Sequence, residues 1–102
     1  MNIIRDFFLG FIRLHILHHA AEKPIYGVWL IEELGTHGYD LSPGTLYPIL
    51  HGLTDAGLLS LHEEVVNGKR RKYYTATEAG QAALTEAKTK LQELAAEVLR
   101  SE

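Results

Sequence analysis

The chain has no cysteine among its 102 residues, which excludes disulfides, thiolate metal sites and cysteine nucleophiles. That absence fits a reducing compartment, so a cytoplasmic location is expected. Net positive charge is missing as well: ten Lys and Arg stand against thirteen Asp and Glu, a formal charge of −3. Indiscriminate attraction to nucleic acid is therefore excluded, and any electrostatic attraction to it must come from a local patch. Nor is there a long apolar run. The stretch Phe7 to Leu17 is interrupted by Arg13 and His15 and falls short of the ~20 residues needed to cross a bilayer. It reads as a buried helix, and no membrane partner is expected. Low-complexity tracts and internal repeats are absent too.

Apolar residues make up 46% of the chain, an ordinary share for one globular domain. A domain this small benefits from completing its core against a second copy. Charge is unevenly spread. Residues 1–41 carry three basic and five acidic groups, and residues 77–102 carry the same numbers. Residues 42–76 carry four basic groups, all of them at 69–72.

The run from Leu41 to Leu53 is the most informative. Ser42 is a good N-cap, because its hydroxyl can accept from a free first-turn N–H. Pro43 suits the first helical position, where no N–H is required. Leu46, Ile49, Leu50 and Leu53 fall at i, i+3, i+4 and i+7, one apolar stripe of a helix over 43–56. Gly44, Thr45, Tyr47, Pro48 and His51 lie on the opposite, narrow face, which suits a helix entering a DNA major groove. Pro48 removes one helical hydrogen bond at a cost of ~3 kcal/mol, so a kink is expected there.

Leu58 to Val66, Asn67-Gly68 and Lys69 to Thr75 read as a β-hairpin, since both central residues of a type I′ turn need positive φ. Its second strand opens Lys69-Arg70-Arg71-Lys72 and continues Tyr73-Tyr74. A helix followed by a hairpin with a basic tip is a winged helix-turn-helix. The expected fold is mainly α with this one small hairpin, plus a C-terminal helix.

The blocks LSPGTLYPILHGLTDAGLL, NGKRRKYYTATEAG and KPIYG closely resemble the PadR family of bacterial transcriptional regulators, over about residues 5–85. The resemblance implies a homodimeric repressor that binds double-stranded DNA and senses a phenolic or other planar apolar effector. It also implies that the last helix pairs the subunits, packing with the first. Two departures stand out. Many relatives carry a basic pair where this chain has His51-Gly52, which removes phosphate anchors. Trp29 occupies a position that is commonly polar, which makes it a candidate effector contact between subunits; packing on a neighbouring helix is the alternative.

The other helices follow from periodicity. The first spans about Ile4 to His19 and is too apolar around its circumference for one small core, so Phe7, Phe8 and Phe11 are expected to meet a partner subunit. The second spans about Gly27 to Leu34, with Val28, Ile31 and Leu34 inward and Gly35 and Gly38 at its end. The last spans about Glu78 to Arg100 with Thr77 as N-cap. Leu84, Ala87, Leu91, Leu94 and Val98 form a seam of 3-4 spacing along it, and Leu84, Leu91, Leu94 and Val98 are assigned to the dimer interface. Residues 1–76 form the winged helix-turn-helix unit, and 77–102 a dimerisation helix in the same compact body.

The expected DNA contacts are Ser42, Thr45, Tyr47 and His51 from the helix and Lys69, Arg70, Arg71 and Lys72 from the wing. A twofold dimer would read a pseudo-palindromic operator. His15, His18 and His19 invite a metal reading, since His15 and His19 share a helix face, but no third ligand with a clear spacing follows; Glu22 is close yet weakly diagnostic, and neither a metal nor another cofactor is assigned. No nucleophile–base pair, paired loop carboxylates or phosphate-cradling glycine loop is present, and an enzyme is not expected. The competing reading is a winged-helix module that binds protein and has no DNA specificity.

Overall fold

The computed structural model describes residues 1–100; the last two residues of the 77–102 segment lie outside the described residues. Six elements follow one another: α1 (Ile3–Glu22), α2 (Gly27–Thr36), α3 (Pro43–Asp55), β1 (Leu59–Val66), β2 (Lys69–Ala76) and α4 (Glu78–Val98). The mainly helical class and the single hairpin are as the sequence predicts.

Helix α1 starts under a side-chain cap, Asn2 accepting from the Arg5 amide at 3.0 Å. It runs one turn further than the periodicity suggests, stopping just before Pro24. Only Ile12, Ile16, Leu17 and Ala20 of this helix reach the core. Leu9, Phe11 and Leu14 are half-buried, and Ile3, Ile4, Phe7 and Phe8 are exposed.

Helix α2 corrects the sequence reading. Val28 points to solvent, 62% exposed, while Leu30 and Leu34 are fully buried. Gly27, Leu30 and Leu34 form the inward stripe. A tight approach at Gly27 sets that rotation, because a Cβ there would collide with the Tyr47 side chain. Gly35 stays within the helix, and the chain turns instead at Gly38, with φ +88°.

Helix α3 begins at Pro43 behind the Ser42 cap and ends at Asp55, one residue earlier than expected. Leu46, Leu50 and Leu53 are buried, Ile49 is half-buried, and Pro48 sits exposed inside a helix that continues past it. Gly57, φ +79°, turns the chain into the hairpin. There β1 and β2 pair in antiparallel register from Leu59↔Ala76 to Val66↔Lys69. Asn67 (φ 53°) and Gly68 (φ 78°) make the turn, both central residues positive as type I′ requires. The base of the hairpin is tied to the α1–α2 connection. The Ile25 amide donates to the Tyr74 carbonyl at 3.0 Å, and the Tyr74 amide donates back at 2.8 Å.

Helix α4 is anchored only at its start. Thr77 accepts from the Gly80 amide at 3.0 Å and donates to the Gly57 carbonyl at 2.6 Å. Gly80 and Leu84 are the buried residues of α4, and beyond them it leaves the core. Leu91, Leu94 and Val98 are exposed. The projection stretches the molecule to a radius of gyration of 15.0 Å, against about 13 Å for a compact domain of this length.

Candidate nucleic-acid interface

The two structures named by the sequence, the outer face of α3 and the basic hairpin, meet at one cleft. About 580 Å³ of space lies between the N-terminus of α2, α3 and the wing. Tyr26, Gly27 and Val28 line it from α2 and its cap, Tyr47 from α3, and Val66, Asn67, Lys69, Arg70, Arg71 and Lys72 from the hairpin.

Tyr47 is the hinge of this arrangement. Its ring is half-buried, and its hydroxyl lies over the Cα of Gly27. The side chain therefore belongs both to the α2–α3 contact and to the cleft wall. Beneath it Tyr74 is fully buried; burial, and secondarily the neighbouring Tyr47, push the Tyr74 hydroxyl above the ordinary tyrosine value.

Ser42 is committed to the helix. Its hydroxyl accepts from the Thr45 amide at 3.3 Å and lies 3.2 Å from the Thr45 hydroxyl. Thr45 and His51 are exposed on the outer face of α3 but do not line the cleft. The α3 residues expected to act together thus divide into Tyr47, which lines the cleft, and Ser42, Thr45 and His51, which lie exposed outside it.

The four wing cations also differ from one another. Arg70 is paired with Glu63 at 3.2 Å. Arg71 stacks its guanidinium over the Tyr26 ring, 4.3 Å from the centroid. It also reaches the Tyr73 hydroxyl at 3.5 Å, a contact that pushes its already high value further up. Tyr73 in turn meets the edge of Tyr26, at 5.6 Å between centroids. Among the described residues neither Lys69 nor Lys72 has an ion-pair partner. These two lysines are the unpaired charges of the wing, and Arg71 is held by its aromatic bed.

Sequence reasoning missed Tyr26, Val28 and Glu63. Glu63 was legible: counting outward from the two-residue turn places Glu64 opposite Arg71 and Glu63 opposite Lys72. Tyr26 and Val28 had no such signal, because their place in the cleft follows from the rotation of α2.

The residues assigned to a partner subunit also divide. Leu84 already lies in the core of its own chain, and Phe11 is half-buried, with its ring 5.7 Å from Phe7 and 6.0 Å from Tyr39. Phe7, Phe8, Leu91, Leu94 and Val98 remain exposed. Between α1 and α4 runs an apolar groove of about 230 Å³ lined by Phe11, Leu14, His15, His18, Leu84, Lys88 and Leu91. Trp29 lines neither this groove nor the cleft; it packs with its ring at 5.2 Å from His19 and under the Lys23 ammonium at 4.7 Å. Among the described residues no helix is long and apolar enough to cross a membrane.

Comparison with known proteins gives one answer. Residues 16–86 match the profile described as the transcriptional regulator PadR-like family. The chain is 55% identical over 96 residues to Transcriptional regulator Rv3488 of Mycobacterium tuberculosis (strain ATCC 25618 / H37Rv), covering 94% of this chain and 90% of that protein. A PadR-like transcription factor from Bacteroides fragilis superimposes with a TM-score of 0.82 at 30% identity, over 96% of each chain. A PadR family transcriptional regulator from Eggerthella lenta DSM 2243 does so with a TM-score of 0.80 at 27% identity, over 98% of this chain and 91% of that one.

Proposed function

The chain belongs to the PadR-like family of transcriptional regulators, which are not enzymes, and from that premise we propose that it is a homodimeric repressor reading a pseudo-palindromic operator. Helix α3 enters the major groove, with Thr45 and His51 toward base edges and Ser42 at the rim. Tyr47 closes the cleft beside it, and Lys69 and Lys72 reach phosphates from the wing. Residues 1–76 act as the reading unit and 77–102 as the pairing helix. A role on DNA places the protein in the cytoplasm.

One observation carries the reading: Tyr47 and the basic wing share a single cleft with two unpaired lysines at its edge. Phosphate contacts fix register while base-edge contacts specify sequence, and the cleft offers both kinds of group side by side. The exposed apolar surface of Phe7, Phe8, Leu91, Leu94 and Val98 supplies a surface for the second copy, which would set two α3 helices on one face. The family resemblance adds release by a small aromatic or apolar effector. Trp29 lines neither the cleft nor the α1–α4 groove, so its part in effector contact requires a space that the second subunit completes.

Selection of randomised duplex DNA against the purified protein at physiological salt tests the proposal. Enrichment of an inverted repeat is the expected result. A folded dimer that enriches no sequence would favour the protein-binding module.

A further inference from the structure

Spacing along α1 suggests a pairing of His15 with His19, without a third ligand. The structure groups the side chains differently. His18 Nε2 lies 3.3 Å, and His19 Nδ1 3.9 Å, from the same oxygen, Oε1 of Glu22. Ligand atoms of the three residues all fall within 4.8 Å of one another, which no other trio of such groups among the described residues does. Zinc bonds of about 2.0–2.2 Å set tetrahedral donors about 3.4 Å apart, so a small rotation of exposed side chains closes the set.

A second carboxylate stands behind the first. The other nitrogen of His19, Nε2, is 3.4 Å from Oε1 of Glu33 on α2, and His37 Nε2 reaches that same oxygen at 3.4 Å. A metal-ligating histidine characteristically gives its far N–H to a carboxylate, which fixes the tautomer and the ring orientation. With the proton held on Nε2 toward Glu33, the Nδ1 lone pair faces the Glu22 carboxylate. A neutral ring has one N–H for two carboxylates. The lone pair and the anionic oxygen then oppose each other unless a cation lies between them.

We propose that His18, His19 and Glu22 bind a divalent transition-metal ion of the zinc class, with Glu33 positioning His19 from the adjacent helix. Two imidazoles and one carboxylate favour zinc, cobalt or nickel over magnesium and calcium, which prefer an all-oxygen shell. Three protein ligands leave a fourth position to solvent. Trp29, the only tryptophan of the chain, sits with its ring 5.2 Å from that of His19. It is therefore a built-in reporter of the site.

The test uses the full chain freed of metal by a chelator and titrated with Zn²⁺, then with Co²⁺. Trp29 emission, cobalt visible absorption and competition with a chromogenic chelator are read together. One ion per chain is expected, with the emission change saturating at that ratio and Mg²⁺ failing to compete. His18→Ala and Glu22→Gln should each weaken binding by at least roughly tenfold, and Glu33→Gln by roughly ten- to a hundredfold. Metal-free melting of the His18 and Glu22 variants should match the parent, since both side chains are largely exposed. His62→Ala, on the hairpin strand β1, should bind as the parent does. The proposal is overturned if micromolar zinc produces no saturable binding, or if the His18→Ala and Glu22→Gln variants bind as tightly as the parent.

Discussion

The hydroxyl of Tyr47 lies over the Cα of Gly27, at a spot where any side chain on Gly27 would collide with it. One contact thereby locks the start of α2 to the exposed end of α3 and holds Tyr47 in the cleft wall. Gly27→Ala should expel the ring, destabilising the fold by about 1–3 kcal/mol through overpacking and weakening operator binding. In a Tyr47→Ala background the same substitution should cost much less, a coupling of order 1 kcal/mol. Urea unfolding of the four proteins measures it, and additive costs would show that the contact does not matter.

Ser42 caps α3 and is exposed at the start of that helix, so the cap and the proposed DNA contact can be tested separately. Ser42→Ala should cost about 1 kcal/mol of stability. Ser42→Asp should keep the cap, because a carboxylate also accepts from the first-turn amides, yet bind operator less tightly by repelling phosphate. Thermal melts and DNA titrations side by side test the pair. Equal DNA affinity for the Asp variant and the parent would remove Ser42 from the interface.

The wing should show a restrained salt dependence. With Lys69 and Lys72 free in each of two subunits, four phosphates are neutralised, and log K should fall with log salt at a slope of about −4. Glu63→Gln should release Arg70 from its 3.2 Å ion pair, tightening binding and steepening the slope toward about −5. Affinity measured across a series of salt concentrations reads both.

Two glycines should respond in opposite directions. A Cβ on Gly80 would strike the Leu58 carbonyl, a backbone atom that cannot step aside, whereas nothing lies within 4 Å of a Cβ on Gly52. Gly80→Ala should destabilise by about 1–3 kcal/mol. Gly52→Ala, in the exposed interior of α3, should stabilise by about 0.5–1 kcal/mol. Denaturant midpoints decide the signs.

The projecting end of α4 should be needed for pairing and dispensable for folding. Leu94 is 57% exposed and Val98 66% exposed within one chain. Leu94→Glu should yield a folded monomer, because it adds charge to a surface the monomer's own core does not use. Sedimentation gives the mass, and circular dichroism the helix content.

Local chemistry explains what the sequence determined. Ser42, Pro43 and Thr77 set helix starts through single hydrogen bonds or a fixed φ, and Asn67-Gly68 sets the turn and with it the whole register, including Glu63 and Glu64 opposite the basic run. These interactions span a few residues and need no knowledge of the rest of the chain. The apolar stripe of α3 was equally legible, since its period alone chooses the buried face.

Tertiary structure decided the rest. The periodicity of α2 turned Val28, Ile31 and Leu34 inward; the close approach of Tyr47 to Gly27 instead buried Leu30 with Leu34 and turned Val28 into the cleft. The same docking of α2 on α1 brought Glu33 and His37 to His19, residues whose separation along the chain gave no hint of contact. That Arg71 is held was likewise settled by Tyr26, placed under it by the pairing of Ile25 with Tyr74. In each case two segments far apart in sequence compete for one space, and only their packing determines which side chain fills it.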